Sequence, residues 1–416
     1  MTQEASPRLR VGVIGGSLGG LFAGVALRQA GFVVDVYERS DSSLGDKGAG
    51  LRMQDDMVAR LEKAGIPIDA SAVTPRWFRY LGPDNTLVHQ EPTNIIYTSW
   101  NRLYHMLLEK LDPVSYHLGK NACALRPRCG GGVDIDFADG SEACADVVVG
   151  ADGLTSSVRQ WVAPLEVPRY AGYVCWRGMA QERDLSPVAR ELLSDAGSYV
   201  LLPNGHMAAY PIPGKDGSLV PGERAFNYVW YRNLPESAMR ALLVDRSGVQ
   251  RQWSIPAGQL KDDDLVQLHA AARRELPGAA AEVVCAADSF IQVIVDVEVS
   301  RMVHGRICLM GDSAFSGRPH LGAGTAKAAS DAWSLAEELS RDPEHIDAAL
   351  ARWQARQLPL GQGYVSANRQ LGHDLQVAAN VPPQEFSSRM GWARLVAETA
   401  AQSSLAALAA PSLESP

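Results

Sequence analysis

No apolar run in this 416-residue chain reaches the roughly 18 residues that a membrane-spanning helix needs. The N-terminus, MTQEASPRLR, has no apolar stretch behind its charges and does not read as a secretory signal. The six cysteines, Cys123, Cys129, Cys144, Cys175, Cys285 and Cys308, are scattered singly, without a CxxC pair, which argues against a zinc site or a disulfide framework. His304, His345 and His373 are not grouped with acids at ligand spacing, so no metal site is read. Positive charge is in deficit: 39 Lys and Arg against 47 Asp and Glu leave −8, with no basic stripe for nucleic acid. Repeats and low-complexity segments are missing too. With 46% hydrophobic and 21% charged residues, the expectation is a cytoplasmic globular protein of two to three domains, with neither membrane nor nucleic acid as a partner.

The chain opens on RVGVIGG, an apolar strand running into glycines, followed by an Ala/Leu-rich helix from Leu18 to Ala30 that stops at Gly31. FVVDVYER then reads as a second strand, completing a βαβ unit and predicting a parallel sheet. Residues 102–112 predict a helix with Leu103, Met106, Leu107 and Leu111 on one face. VDIDFADGSEACADVVVG predicts a hairpin turning at Asp139–Gly140 and then a buried strand. Strand-like runs dominate 170–299, interrupted by one helix at about Asp263–Leu276. RICLMGD is a further buried strand, and Gly324–Arg341 a long amphipathic helix. Ala/Leu/Gln-rich helix continues to about Ala409, before the loose tail APSLESP.

The first turn reads Gly15-Gly16-Ser17-Leu18-Gly19-Gly20. In the GxGxxG pattern Gly15 makes the tight turn, Gly20 lets helix and strand approach, and Ser17 stands at the place of the middle glycine. Glu38, 23 residues past Gly15 and next to Arg39, has the spacing of a carboxylate on a ribose hydroxyl. The helix start at Leu18 offers N–H groups to a pyrophosphate. A Rossmann-like turn with no ligand is the alternative.

Two further motifs follow. One is VVVGADG (147–153), containing Asp152 and leading into Ser156, Ser157, Val158 and Arg159. The other is GDSAFSGRPHLGAG (311–324), leading into Ala328, Asp331 and Ala332. With all three motifs in order, the chain resembles the flavin-dependent aromatic hydroxylases of the para-hydroxybenzoate hydroxylase family. It departs from that pattern at Phe315, Ala323 and Ala326, where His, Gln and Asn are usual, which implies changed flavin contacts.

The resemblance implies FAD as cofactor, NADH as co-substrate bound without a second fingerprint, and O₂ transfer to an electron-rich ring through a flavin C4a-hydroperoxide. It implies a small aromatic or N-heterocyclic substrate such as a hydroxylated pyridine. It implies flavin contacts from Gly15, Ser17, Leu18, Gly20, Glu38, Arg39, Arg102, Asp152, Asp312, Gly322, Ala323 and Gly324. Asp312, at a strand end, suits a ribitol hydroxyl, and the loop Pro319–Gly324 opens a helix whose N-terminus suits the flavin N1–C2 edge. The plainer readings are an N-cap for Asp312 and a solvated helix face for Arg102. His206, Tyr210, Pro319 and His320 are the candidates for the ring site. An imidazole at His206 titrates in a useful range, although a structural histidine beside the Asn204–Gly205 turn is equally open. Tyr210 shares its strand face with His206, with core packing as its alternative. Arg177 suits an anionic substrate or NADH, against an interdomain salt bridge. Trp176 and Tyr173 divide between packing and pocket.

The expected architecture is α/β. A Rossmann-type FAD-binding domain with a parallel sheet is assembled from 1–75, 98–168 and 300–345. A mostly antiparallel β-sheet substrate domain comprises 76–97 and 169–299, and C-terminal helices and tail fill 346–416. The helical C-terminus suits a homodimer. A flavin oxidase or dehydrogenase, or a flavin-binding regulator without turnover, are the competing readings on the same fold.

Overall fold

A computed structural model describes residues 9–45, 49–378, 381–391 and 393–400. The tail APSLESP lies outside them. The N-terminal βαβ unit forms as expected. Strand β1 (Arg10–Ile14), helix α1 (Leu18–Gln29) and strand β2 (Val33–Tyr37) bury Val11, Val13, Leu21, Phe22, Val34 and Val36 in one core. The strands β1 and β2 pair in parallel, Val13 opposite Val36, and β1 pairs in parallel on its other side with Val147–Gly150. The sheet continues to Ile307–Leu309, also parallel, and ends on the antiparallel strand Val303–His304; Tyr116–His117 forms the other edge. Because the C-terminal ends of β1, 147–150 and 307–309 lie side by side, the glycine turn, the DG turn and the Gly311–Asp312 turn all leave the same edge of this sheet.

The second sheet has nine strands and is antiparallel except where Ala196–Leu202 runs parallel to Trp77–Leu81. Its strands alternate strictly. Val174 and Trp176, Met207 and Ala209, and Tyr228 and Trp230 point into one apolar core, while Cys175, Arg177, His206, Ala208, Tyr210, Val229 and Tyr231 line a cavity on the opposite face. The expectation of one helix in this region is corrected. Four occur, Pro187–Leu193, Glu236–Leu242, Asp262–Glu275 and Gly278–Ala286, because short helices with little periodicity can still be fixed by packing on the sheet's apolar face.

Gly324–Arg341 packs on α1 and brings its N-terminus to the shared sheet edge. The helix Ile346–His373 carries Pro359 inside it and passes into a π-helical turn, Asp374–Ala378, before a short helix Pro383–Ser388. No helix among the described residues is long and apolar enough to cross a membrane.

Candidate active site

The glycine turn is shaped by what a side chain would strike. Gly15 holds φ +107°, and a Cβ at Gly20 would run into the carbonyl oxygen of Gly15, so α1 can approach β1 only with glycine there. Ser17 caps α1 with extended backbone and no side-chain hydrogen bond, and no acid occupies the first turn. The amide groups at this end are therefore left for a ligand. Glu38 is buried at the end of β2, where its carboxylate accepts from the Gly16 amide (2.8 Å) and from the Ser40 amide (2.9 Å). The Tyr116 hydroxyl donates to the Gly16 carbonyl at 2.9 Å, pinning the turn from the other side.

A second helix N-terminus faces the same space. Gly322 adopts a left-handed φ of +60°, and the 18-residue helix Gly324–Arg341 then starts without a side-chain cap or a first-turn acid. The two open ends line one cavity of about 1120 Å³. Its wall carries Gly15, Ser17, Leu18, Glu38, Arg39 and Asp152 at one end and Pro319, His320, Gly322, Ala323 and Gly324 in the middle. His206 and Tyr210 stand on the sheet face.

Asp312 lines this cavity from the turn Gly311–Ser313, where it is not the cap residue. Its carboxyl is open toward the cavity yet enclosed by protein elsewhere. That desolvation raises its pKa, with Lys327 opposing and Asp331 adding to the shift. Beneath the turn lies a fully buried ion pair. Lys327 Nζ meets Asp331 at 2.7 Å and the Gly311 carbonyl at 3.2 Å, while Asp331 accepts from the Gly311 amide at 2.8 Å. The ammonium also sits 4.8 Å over the ring of Phe315, the residue that departs from the family histidine. Nothing in the motif reading signalled this pair except its i, i+4 spacing.

The sheet end of the cavity is aromatic. His206 is buried, its ring stacked on Tyr231 at 4.5 Å and its Nδ1 3.0 Å from the Gln376 amide nitrogen. An amide nitrogen only donates, so this contact leaves the imidazole proton on Nε2. Burial pushes the pKa of His206 down to about 3, and that of His320 well below its usual value. The expectation that His206 titrates near neutrality is thereby corrected: desolvation keeps it neutral. His320 stands 5.1 Å from His206 and bonds Tyr173 through Nε2 at 2.6 Å, while its Nδ1 is buried without a partner. Tyr210 stacks on Tyr97 at 4.2 Å and donates to the Gly50 carbonyl at 3.1 Å. Trp176 belongs to the core on the far side of the sheet.

Other candidates lie apart. Gly20 packs beneath the turn rather than in the wall. Asp152 lines the cavity, but its carboxylate already accepts from Ser156 Oγ (2.5 Å) and from the amides of Ser157 (2.7 Å) and Val158 (3.2 Å), as the cap of its own turn. Arg102 is exposed outside the cavity, with Nε donating to Ser71 Oγ at 3.2 Å. Trp100 lines the cavity instead, since residues two apart on a helix point about 200° from each other. Among the described residues Arg39 bonds Thr155 Oγ1, at 3.4 Å. The motif reading missed Arg52, Trp100, Tyr199, Tyr231, Gln376 and Phe386, all placed around the cavity or its buried ring.

A parallel sheet with two uncapped helix ends opening on one long cavity, floored by an antiparallel sheet with buried aromatic and imidazole groups, defines a dinucleotide-dependent enzyme acting on a ring-sized molecule. Comparison with known proteins narrows the class. Residues 170–296 match the family described as FAD binding domain-like. The chain is 35% identical over 376 residues to 2,6-dihydroxypyridine 3-monooxygenase of Paenarthrobacter nicotinovorans, covering 90% of this chain and 93% of that one. It superposes on the structure of 2,6-dihydroxypyridine-3-hydroxylase from Arthrobacter nicotinovorans with a TM-score of 0.86 at 34% identity, over 93% of this chain and 98% of that one. The fold alone is shared with Klebsiella pneumoniae HpxO complexed with FAD and uric acid, at TM-score 0.73 and 22% identity over 97% and 96% of the two chains. The chain belongs to the FAD-dependent aromatic monooxygenases. The glycine cradle, the two open helix ends and the cavity-facing Asp312 fit an FAD extended from Glu38 to His320.

Proposed function

We propose that this enzyme uses NADH and O₂ to hydroxylate a hydroxylated pyridine, with 2,6-dihydroxypyridine, attacked at C3, as the leading substrate. The observation that carries the reading is the continuity of one cavity from the glycine turn to a ring-sized aromatic chamber. The similarity to 2,6-dihydroxypyridine 3-monooxygenase supports the ring's identity. The segments 1–75, 98–168 and 300–345 serve the cofactor, and 76–97 with 169–299 serve the substrate. From the C-terminal segment 346–416, the described residues Gln376 and Phe386 serve the chamber.

In this reading Ser17, Leu18 and Glu38 hold the adenosine and pyrophosphate end of FAD. Asp312 holds the ribityl chain, and the N-terminus of Gly324–Arg341 faces the flavin ring. Bound FAD supplies hydride acceptance from NADH and activation of O₂. The chain's own groups orient the ring and keep water out. His206, neutral and locked by Gln376, offers its Nε2–H to a ring oxygen. His320, held by Tyr173, offers its unpartnered Nδ1 as the second polar contact. Neither histidine carries charge near neutral pH, so a charged ring substrate needs its counter-ion elsewhere.

The test is NADH oxidation with added FAD, with and without 2,6-dihydroxypyridine, with product and peroxide both quantified. Strong stimulation with one hydroxylated product per NADH is expected. Stimulation yielding only peroxide would transfer the reading to another heterocycle. No oxidation with any ring compound would refute it.

A further inference from the structure

Arg52 lies on the strand Gly50–Met53, opposite Tyr97 of Ile96–Ser99, and it lines the cavity. Its stem packs on Gly322, where an added Cβ would come within 3.1 Å of Arg52 Cδ. Its guanidinium atoms Nε and Nη1 are buried without a hydrogen-bond partner, and it forms no ion pair among the described residues. Of the other cations of the wall, Lys120 pairs with Asp139 and Arg251 with Asp245; Arg39 reaches Thr155 Oγ1 at 3.4 Å, and Arg177 donates to Gln292 Oε1 and the Gly50 carbonyl while one of its nitrogens, Nε, stays unpartnered, against two in Arg52. The Tyr97 and Tyr199 hydroxyls both lie within the field of Arg52. Tyr97 Oη is itself buried without a partner, and Tyr199 Oη reaches only Met390 Sδ, at 4.0 Å. A half-buried guanidinium with two enclosed, unpartnered nitrogens beside two hydroxyls, and no carboxylate paired with it among the described residues, is incomplete by itself, since an enclosed donor is costly unless paired.

We propose that Arg52 is a specificity-determining residue that takes the ring substrate as an anion, its deprotonated ring hydroxyl or another ring-borne anionic oxygen completing the site with the Tyr97 and Tyr199 hydroxyls. This rests on the hydroxylase reading and deepens it by fixing the charge state of the substrate. An oxyanion on the ring pushes electron density onto the neighbouring carbons, which is what oxygen transfer to carbon requires. The two buried histidines, being neutral, orient the ring, and the arginine holds its charge.

The experiment follows 2,6-dihydroxypyridine binding to the FAD-loaded enzyme, through the flavin absorbance change, across a pH series spanning ring-hydroxyl ionisation. Wild type, Arg52→Met and Arg52→Lys are compared, with FAD content and melting recorded for each. Wild type is expected to bind more tightly as the ring ionises. Arg52→Met is expected to bind about 10- to 100-fold more weakly, with a flattened pH profile and FAD retained, and Arg52→Lys to recover part of both. Unchanged affinity and pH profile in Arg52→Met would overturn the proposal. So would loss of FAD from Arg52→Met with normal ring binding once FAD is restored, since Arg52 would then serve the flavin. If wild type responds to no ring compound at all, the hydroxylase reading fails first. If wild type responds and Arg52→Met matches it, only the anion site fails.

Discussion

The cofactor end and the ring end of this cavity are built by opposite strategies. At the cofactor end the wall is formed largely by short contiguous turns leaving one sheet edge, with two helix N-termini uncapped toward the cavity. At the ring end the wall is mostly side chains, one to four residues from each of several strands, with Phe386 and Met390 of the C-terminal segment beside them. The first design tolerates almost no side chain at its glycines but asks little of side-chain chemistry. The second asks for buried polar groups whose partners are far away in sequence, as with His206 and Gln376, 170 positions apart.

The contrast can be broken first at the cofactor end. Gly20→Val should cost more than about 4 kcal/mol and leave no folded FAD-loaded protein, because the clash is with backbone that cannot move aside. Expression yield and flavin content check it. Lys327→Met should destabilise by about 3–5 kcal/mol by stranding Asp331 in the core, and the double change Lys327→Met with Asp331→Leu should recover much of the folding stability but not the hold on Gly311. Urea unfolding of wild type and the two variants separates the two effects. At the ring end, His206→Ala should lower product formation by roughly 10²-fold while FAD content stays normal; normal turnover would remove His206 from the site.

Acid sharpens the same contrast. His206 titrates at about 3 when folded, against roughly 6.5 unfolded, so the unfolded chain takes up its proton first as pH falls. The stability contribution is whole above about pH 6.5 and is lost from there toward pH 3, amounting to about 2 kcal/mol by pH 5. Melting measured against pH should show that slope in wild type, and His206→Ala should lack its share. The smallest effect belongs to Arg102→Ala. The side chain is exposed and turned to Ser71, so FAD affinity should change by less than about 0.5 kcal/mol, as flavin titration will show.

The division also explains what was legible in the sequence. The βαβ unit, Glu38, the Asp312 turn and the Pro319–Gly324 loop were readable because each is a local signal whose spacing carries its geometry. The sheet's alternation was readable as well, and it put Tyr210 on the face of His206. Trp100 and Arg102 could not be separated without the helix's rotation about its own axis. Arg52 carries no signal in the sequence, because its want of a partner is a property of what surrounds it. The burial that keeps His206 neutral was likewise invisible, as it depends on Tyr231 and Gln376 arriving from elsewhere. The helix at Pro187 did carry its signal, a Ser186-Pro187 start whose Ser186 side chain accepts from the Ala189 amide at 3.2 Å.

The π-helical turn Asp374–Ala378 delivers Gln376 to His206 and is tied to the sheet through Asn233 Nδ2 and the Gln376 carbonyl at 2.7 Å; Phe386, just beyond it, is fully buried near Tyr80 and Tyr199. The C-terminal stretch thus supplies part of the ring chamber from outside the sheet edge that carries the glycine turn. Substitutions at Gln376 and Phe386 would reshape the ring chamber while leaving the residues of the glycine turn unchanged.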